Sequence, residues 1–375
     1  MREVKIGMLG LGTVGQAVLA LNQNFDGVHY HFSRALVRDP KKTRAVSIPL
    51  TQDPEEIIHD PAIDIVVEVM GGCEPARAWI SDALRHGKAV VTANKEVMAY
   101  HGRELLTICR SHQAFLGYEA GVGGGIPILD SLRYQLNAAP VQQVYGVLNG
   151  TTNYLLCAMG DGRPLEEAIR DAQAEGYAEA NPNADVQGWD SARKLVLLAH
   201  LAFDQWMHPE TFPVVGIDNW PATILSRLKA HGMTLRLVAT AKRLADGSLE
   251  AQVKPTVVPI HHALGQVTGA QNGIGIITSA GHFWVQGPGA GGLATATSIW
   301  ADIRRSQAMT PSPMHQAPEV RVALTATFPL MGIALDPDRH LTGSLSGRSI
   351  PDPSLAYYDP ASSPLEGVTY FPVWE

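Results

Sequence analysis

Three carboxylates and one ammonium fall within the sixteen residues EANPNADVQGWDSARK: Glu179, Asp185, Asp190 and Lys194. Acids gathered in this way can hold an ammonium-bearing substrate, and a lysine among them can deliver or take a proton. Asp190 and Lys194 stand at i and i+4, which puts them on one helix face with the acid toward the N-terminus. A solvated pair at that spacing adds only a few tenths of a kcal/mol, about 0.3–0.5, and does no chemistry. The residues that follow argue for more. An almost unbroken apolar run, LVLLAHLAF, begins at Leu195. A helix apolar all round is buried, so Lys194 enters at the edge of a buried element.

A second candidate is Lys95, in Asn94-Lys95-Glu96. It lies just past a strand expected over Ala89–Thr92, at the carboxyl end where ligands bind in open α/β sheets. Taken alone it reads as a solvated loop lysine; its position makes a ligand contact an equal alternative. A third is Glu119-Ala-Gly-Val-Gly-Gly-Gly-Ile-Pro-Ile128, after strand-like Ala114–Tyr118. Carbonyls of such a run can bind a cation, or the glycines can simply let two backbones approach.

The elements that position these groups begin at Val4–Leu9. That apolar run enters Gly10-Leu-Gly12-Thr-Val-Gly15, and a helical pattern follows directly. G-x-G-x-x-G between strand and helix is a dinucleotide fingerprint, because the backbone can approach a pyrophosphate and the helix N-terminus donates to it. The next strand is expected over His31–Val37 and ends in Arg38-Asp-Pro-Lys41-Lys42. Those cations suit a 2′-phosphate and favour NADP, whereas Asp39 could instead serve the 2′-hydroxyl of NAD. Asp64–Val69 reads as a buried parallel strand, ARAWISDALRHG as a helix, and Val141–Leu148 as a strand before the polar turn Asn149-Gly-Thr151-Thr-Asn153. Residues 164–176 form an amphipathic helix that leads to the acidic stretch. Thr234–Gln252 is a hairpin around Asp246-Gly247, and Asn272–Ser279 pairs with Phe283–Gln286. Gly287-Pro-Gly289-Ala-Gly-Gly292 opens a last helix, as a second dinucleotide turn or only as a tight connection.

The 375 residues suffice for two domains; 45% are apolar and 17% charged, as in a globular protein. A net charge of −7 argues against a nucleic-acid or anionic-membrane partner. Three scattered cysteines fit a reducing compartment, no run approaches a membrane span, and the first residues lack a signal-peptide pattern; the expected location is the cytoplasm. The expected fold is α/β: a Rossmann-type dinucleotide-binding domain over 1–134, completed by 287–306. A mixed α+β substrate and dimerisation domain spans 135–286, and a short Pro-rich C-terminal tail spans 307–375.

The strings GLGTVG, TANKEVMA, YEAGVGGGIPI, LNGTTNY, GYAEANPNADVQGWDSARKL and GPGAGG, in this order over residues 4 to 305, resemble homoserine dehydrogenase. The resemblance implies NAD(P)H-dependent interconversion of L-aspartate 4-semialdehyde and L-homoserine in threonine, methionine and isoleucine biosynthesis. It makes Lys194 the acid/base at the C4 oxygen, with Lys95 assisting and Asp190 orienting lysine and substrate. Glu179, Asp185 and Thr151 become substrate contacts. Gly10, Gly12, Thr13, Val14, Gly15, Arg38, Thr92, Lys95 and Gly289 become cofactor contacts. Glu119, Val122, Gly124 and Ile126 match positions that bind a monovalent cation, Na+ or K+, mostly through carbonyls. A homodimer joined through residues of about 135–150 and 234–286 is also implied. The tail departs from the family's βαββαβ sensing module, being too short and Pro-rich. With one strand candidate at Val320–Phe328 and aromatics at Phe328, Tyr357, Tyr358, Tyr370, Phe371 and Trp374, it is expected to dock on the body. Two rival readings are a related Rossmann dehydrogenase acting on another short amino acid or semialdehyde, and a non-catalytic NADP sensor. A sensor has no use for both lysines and all three acids.

Overall fold

The computed structural model describes residues 2–25, 27–218 and 220–308 and four short strands beyond them. These residues divide into two compact units. The first holds 2–144, 193–211 and 275–308; the second holds 145–192, 212–274 and the four strands.

In the first unit, β1 (Arg2–Leu9) passes through the glycine turn into α1 (Thr13–Ala20). β2 (Val28–Leu36) starts and stops earlier than the expected His31–Val37, because its backbone pairs with β1 from Arg2↔Val28 onward. β3 (Leu50–Thr51) and α2 (Glu55–Ile58) occupy a connection that gave no periodic signal, being only two and four residues long. Then come β4 (Ile65–Glu68), α3 (Ala76–Arg85), β5 (Ala89–Thr92), α4 (Lys95–Ser111), β6 (Leu116–Gly117) and α5 (Leu129–Tyr134). The six strands are parallel in the order β3-β2-β1-β4-β5-β6. The chain reverses its direction of winding between β1 and β4, so the crevice at their carboxyl ends is the binding position of such sheets. β4 is buried on both faces, which explains its apolar Ile65–Val67 run; Glu68 ends it.

β7 (Val141–Val147) leads to α6 (Gly150–Gly160), α7 (Leu165–Ala174), α8 (Asn183–Val186), α9 (Trp189–Phe203) and α10 (Ala222–Ala230). The short α8 lies inside the acidic stretch between Glu179 and Asp190. β8 (Met233–Arg243) and β9 (Leu249–Pro259) form the expected hairpin, antiparallel from Met233↔Pro259 to Arg243↔Leu249. Its turn has Gly247 at φ +84°, and the Asp246 carboxylate accepts from the amide and hydroxyl of Ser248. β10 (Gln271–Thr278) and β11 (Gly281–Pro288) complete a second sheet in the order β11-β10-β7-β8-β9. β11 is an edge strand with Phe283 exposed. α11 (Gly292–Ala308) follows. Past it, β12 (Gly332–Leu335) pairs antiparallel with β13 (Leu341–Thr342), β14 (Tyr357–Tyr358) and β15 (Thr369–Pro372), and β15 lies beside β9. The strand expected at Val320–Phe328, and Trp374, lie outside the described residues. No helix among the described residues is long and apolar enough to cross a membrane.

α9 is the buried helix the sequence implies: Leu195 through Ala199 are fully enclosed. His200, on the same helix, is buried against Trp206, with ring centroids 4.3 Å apart, and its Nδ1 has no hydrogen-bond partner among the described residues. Burial first, and then Arg133 and Arg110, push its pKa down to about 3 from 6.5. A depressed folded pKa means that stability is fully present above 6.5 and is lost as pH falls toward 3, by about 1.4 kcal/mol per pH unit. Between pH 7 and 5 the protein should lose about 2 kcal/mol more than the His200→Met variant does. Urea midpoints across that range check this; two parallel pH profiles would show His200 to be irrelevant.

Candidate active site

The carboxyl ends of β4 and β5 carry a buried polar network. Glu68 is fully enclosed; it accepts from the Thr92 hydroxyl (2.6 Å) and the Met70 amide (2.8 Å). Burial, opposed by these hydrogen bonds, raises its pKa. Asn94 donates to the Gly72 carbonyl (2.7 Å) and accepts from the Val97 amide (3.1 Å), so it caps α4 and fixes the turn on which Lys95 begins the helix. The Thr92 side chain is therefore spent on Glu68. Glu96, next to Lys95, is paired with Arg193 (3.1 Å), next to Lys194. One ion pair thus ties the start of α4 to the turn of α9 that carries Lys194.

The glycines of the first turn do different work. Gly10 has φ +105°, and a Cβ on it would sit 3.0 Å from the Val69 carbonyl. A Cβ on Gly15 would lie 2.9 Å from the Gly10 carbonyl, so that glycine permits helix and strand to touch. A Cβ on Gly12 would meet nothing within 4 Å. Its missing side chain is unexplained by packing and leaves room for a ligand's approach. Thr13 and Val14 follow in the first turn of α1. A Cβ on Gly292 would lie 3.3 Å from the Thr13 methyl, so the second glycine turn, with buried Gly289, runs beside the first. Arg38 is exposed after β2, and the Asp39 carboxylate accepts from the Lys41 amide (2.8 Å). Nothing in the residues around Arg44 marks it as functional. It donates to the carbonyls of Leu11, Lys42 and Asp39 and so joins this loop to the glycine turn.

The Glu119–Ile126 loop packs on the same region. Gly124, at φ +58°, leaves no room for a side chain, since a Cβ would be 2.9 Å from the backbone of Gly289 and Ala290. The Glu119 carboxylate is buried and accepts from the amides of Leu129 (2.9 Å) and Asp130 (2.7 Å), capping α5. Burial pushes its pKa up, against those hydrogen bonds and the nearby Arg133 and Arg305. The Gly124 carbonyl accepts from the Ser298 hydroxyl (2.6 Å), and the Glu119 amide donates to fully buried Asp302 (2.9 Å), one turn further along α11.

In the second unit, one side chain organises the acids. Asn149 is buried, and its amide nitrogen donates to both Asp185 Oδ1 (2.6 Å) and Asp190 Oδ2 (2.7 Å). Its oxygen accepts from the Thr152 amide (2.6 Å) and caps α6. Thr152 also donates to the Asp185 carbonyl (2.9 Å). Both carboxylates are thereby held together, although they repel one another, and the arrangement favours a cation placed against them. Asp190 is 4% exposed and Lys194, one helical turn on, is 7% exposed. Glu179 stands apart, an exposed side chain between α7 and α8 whose backbone carbonyl accepts from Gln173 (3.1 Å). The Thr151 hydroxyl donates to the Tyr177 carbonyl (2.6 Å), two residues before Glu179. Sequence reasoning placed Asn149 only in a polar turn. A helix-capping Asn carries no local sign that its amide will meet two acids some forty residues away.

Comparison with known proteins bears on the same residues. A family model described as homoserine dehydrogenase matches residues 127–303, and one described as its NAD-binding domain matches 10–119. Homoserine dehydrogenase of Bacillus subtilis is 39% identical over 316 residues, which are 81% of this chain and 72% of that protein. The crystal structure of a homoserine dehydrogenase from Thiobacillus denitrificans superposes with a TM-score of 0.80 at 32% identity, over 90% of this chain and 84% of that one. A hyperthermophilic archaeal homoserine dehydrogenase, solved in complex with NADPH, does so with a TM-score of 0.70 at 26% identity, over 83% and 100%.

Proposed function

The chain belongs to the homoserine dehydrogenase family, and from that premise we propose how its residues divide the interconversion of L-aspartate 4-semialdehyde and L-homoserine. It is an NAD(P)-dependent oxidoreductase. The observation that carries the assignment of roles is the pair of acids Asp185 and Asp190 gripped by Asn149, with buried Lys194 four residues after Asp190 on α9. Asp185 and Glu179 hold the substrate's ammonium, and Asp190 orients Lys194 and the substrate; Thr151, a further substrate contact, also ties down the segment that leads to Glu179. Bound nicotinamide supplies the hydride for reduction of the aldehyde carbon. Negative charge then develops on the C4 oxygen, and Lys194 both stabilises it and delivers the proton from Nζ. In the reverse direction the same amine takes the proton back. Lys95, presented by the Asn94 cap, adds a second cation beside the cofactor and substrate.

The cofactor residues are Gly10, Gly12, Thr13, Val14 and Gly15 of the first turn, Gly289 of the second, and the Thr92–Lys95 segment. The open space over Gly12 supports this, since a pyrophosphate needs close backbone approach there. NADP is the preferred form. Arg38 is exposed at the end of β2, while Asp39 is already engaged by the Lys41 amide. That the archaeal homologue was solved in complex with NADPH supports this reading. The carbonyls of Glu119, Val122, Gly124 and Ile126 offer neutral oxygens only, because the Glu119 carboxylate caps α5. Such a set suits a monovalent cation, Na+ or K+. The protein is assigned to the cytoplasm, and as a homodimer its exposed β11 edge would be covered.

One assay tests the reading: oxidation of NADPH and of NADH with L-aspartate 4-semialdehyde. NADPH should give the higher kcat/KM, and Arg38→Ala should narrow the gap by roughly 10-fold through loss of a charge-assisted contact to the 2′-phosphate. Preference for NADH that ignores Arg38→Ala would transfer control of the pocket to Asp39. Turnover of a different semialdehyde in place of this one would favour the rival dehydrogenase. Light scattering on the same preparation reads the assembly, and a mass of 40.3 kDa would rule out the dimer.

A further inference from the structure

The first unit carries a cluster of metal-ligating side chains that plays no part in the reaction above. His59 follows α2, Asp82 lies on α3, and His86 follows the last residue of α3. One ligand atom from each of the three side chains can be chosen so that all lie within 4.8 Å of one another. His59 Nε2 is 3.0 Å from Asp82 Oδ2, and His86 Nδ1 is 3.4 Å from Asp82 Oδ1. The two imidazole centroids are 4.6 Å apart. His86 Nδ1 also donates to the Asp82 backbone carbonyl (2.9 Å), which keeps this nitrogen on the side of the ring that faces Asp82.

We infer that His59, Asp82 and His86 form a site for Zn2+, with water completing the coordination. Two imidazoles and a carboxylate are a donor set that suits this borderline ion. Bonds of roughly 2.0–2.2 Å in a tetrahedron put neighbouring ligand atoms about 3.4 Å apart. Two of the three pairs are already near that spacing, and the rest of the closure falls to side chains at the surface, 42%, 39% and 46% exposed, which are free to move. His59 Nε2 now donates its proton to the Asp82 carboxylate and His86 Nδ1 donates its proton to the Asp82 carbonyl; the metal takes the place of both, the first proton leaving to solvent and the His86 ring carrying its proton on Nε2 instead. The negative end of the α3 dipole, at its C-terminus, adds a favourable field for a cation.

The site's place in the sheet decides its role. His59 precedes β4 and His86 precedes β5, so both lie at the amino ends of parallel strands. The glycine turn and Lys95 follow strands and lie at the carboxyl ends. A metal here ties the α2 segment to α3 and takes no part in hydride transfer. This inference does not depend on the roles assigned to the lysines and acids.

The test uses the full chain, equilibrated with ZnCl2, desalted and analysed for bound metal, together with melting curves with and without the ion. One zinc per chain and a rise in Tm are expected for the parent protein. His86→Ala and the isosteric Asp82→Asn should each bind at least ~10-fold more weakly and lose the rise in Tm. NADPH-dependent activity without added metal should stay at the parent level in both. The proposal is overturned if the parent retains no zinc. It is equally overturned if zinc and the rise in Tm survive both substitutions, which would place the ion on other residues such as Cys73.

Discussion

Lys194→Ala should lower kcat by on the order of 10²-fold or more while cofactor binding stays close to that of the parent. Lys194 is 7% exposed on a helix whose following turn, Leu195 to Ala199, is fully enclosed, so its ammonium has a fixed origin and little freedom. Its neighbour Arg193 is held by Glu96, which further fixes that turn of α9. The loss should fall on kcat, because the interaction removed is made with charge that exists only as the aldehyde is reduced. Lys194→Arg separates two roles. A guanidinium keeps the positive charge but gives up a proton far less readily, so if proton delivery matters this variant should also be slow. A Lys194→Arg enzyme with near-parent kcat would mean that Lys194 acts only as a charge. Near-parent kcat in Lys194→Ala, with titration of NADPH by fluorescence unchanged, would remove the residue from the mechanism.

Asn149→Ala should raise KM for the amino-acid substrate by roughly 10–100-fold, the equivalent of losing hydrogen bonds to charged groups worth about 1.5–3 kcal/mol. Without the amide, Asp185 and Asp190 lose their common donor, and Asp190 is almost fully buried. Two carboxylates left facing one another would move apart or take up a proton, and either response spoils a site for an ammonium. The same substitution removes the cap of α6 and should lower stability by about 1 kcal/mol. Asn149→Ser distinguishes the two effects, since serine caps a helix well but carries no amide to share between the acids. It should keep the melting temperature and still raise KM. A serine variant with parent KM would show that the acids hold their places without Asn149.

How much of this was legible beforehand follows from what kind of signal each feature leaves. β5 matches its expected bounds, Ala89–Thr92, because a strand buried on both faces is written as a local apolar run. The hairpin of β8 and β9 was legible because alternation and an Asp-Gly turn are also local. The ends of β2 were not, since pairing with β1 carried the strand back to Val28. β3, α2 and α8 are too short to show a period at all.

By itself the sequence determined the parallel sheet with its glycine turn, the buried helix behind Asp190 and Lys194, and the order of the strings that place the chain in its family. Each of these depends on neighbours in the chain, through backbone sterics and the 2.0 and 3.6 periods. Only the tertiary structure decided which polar atoms meet. The Glu119 carboxylate turns to the amides of α5, and the Thr92 hydroxyl turns to Glu68. Arg193 finds Glu96, and one Asn149 amide holds two acids. Such contacts leave no periodic trace, because a hydrogen bond is directional and short-ranged and its partner is chosen by how distant elements pack.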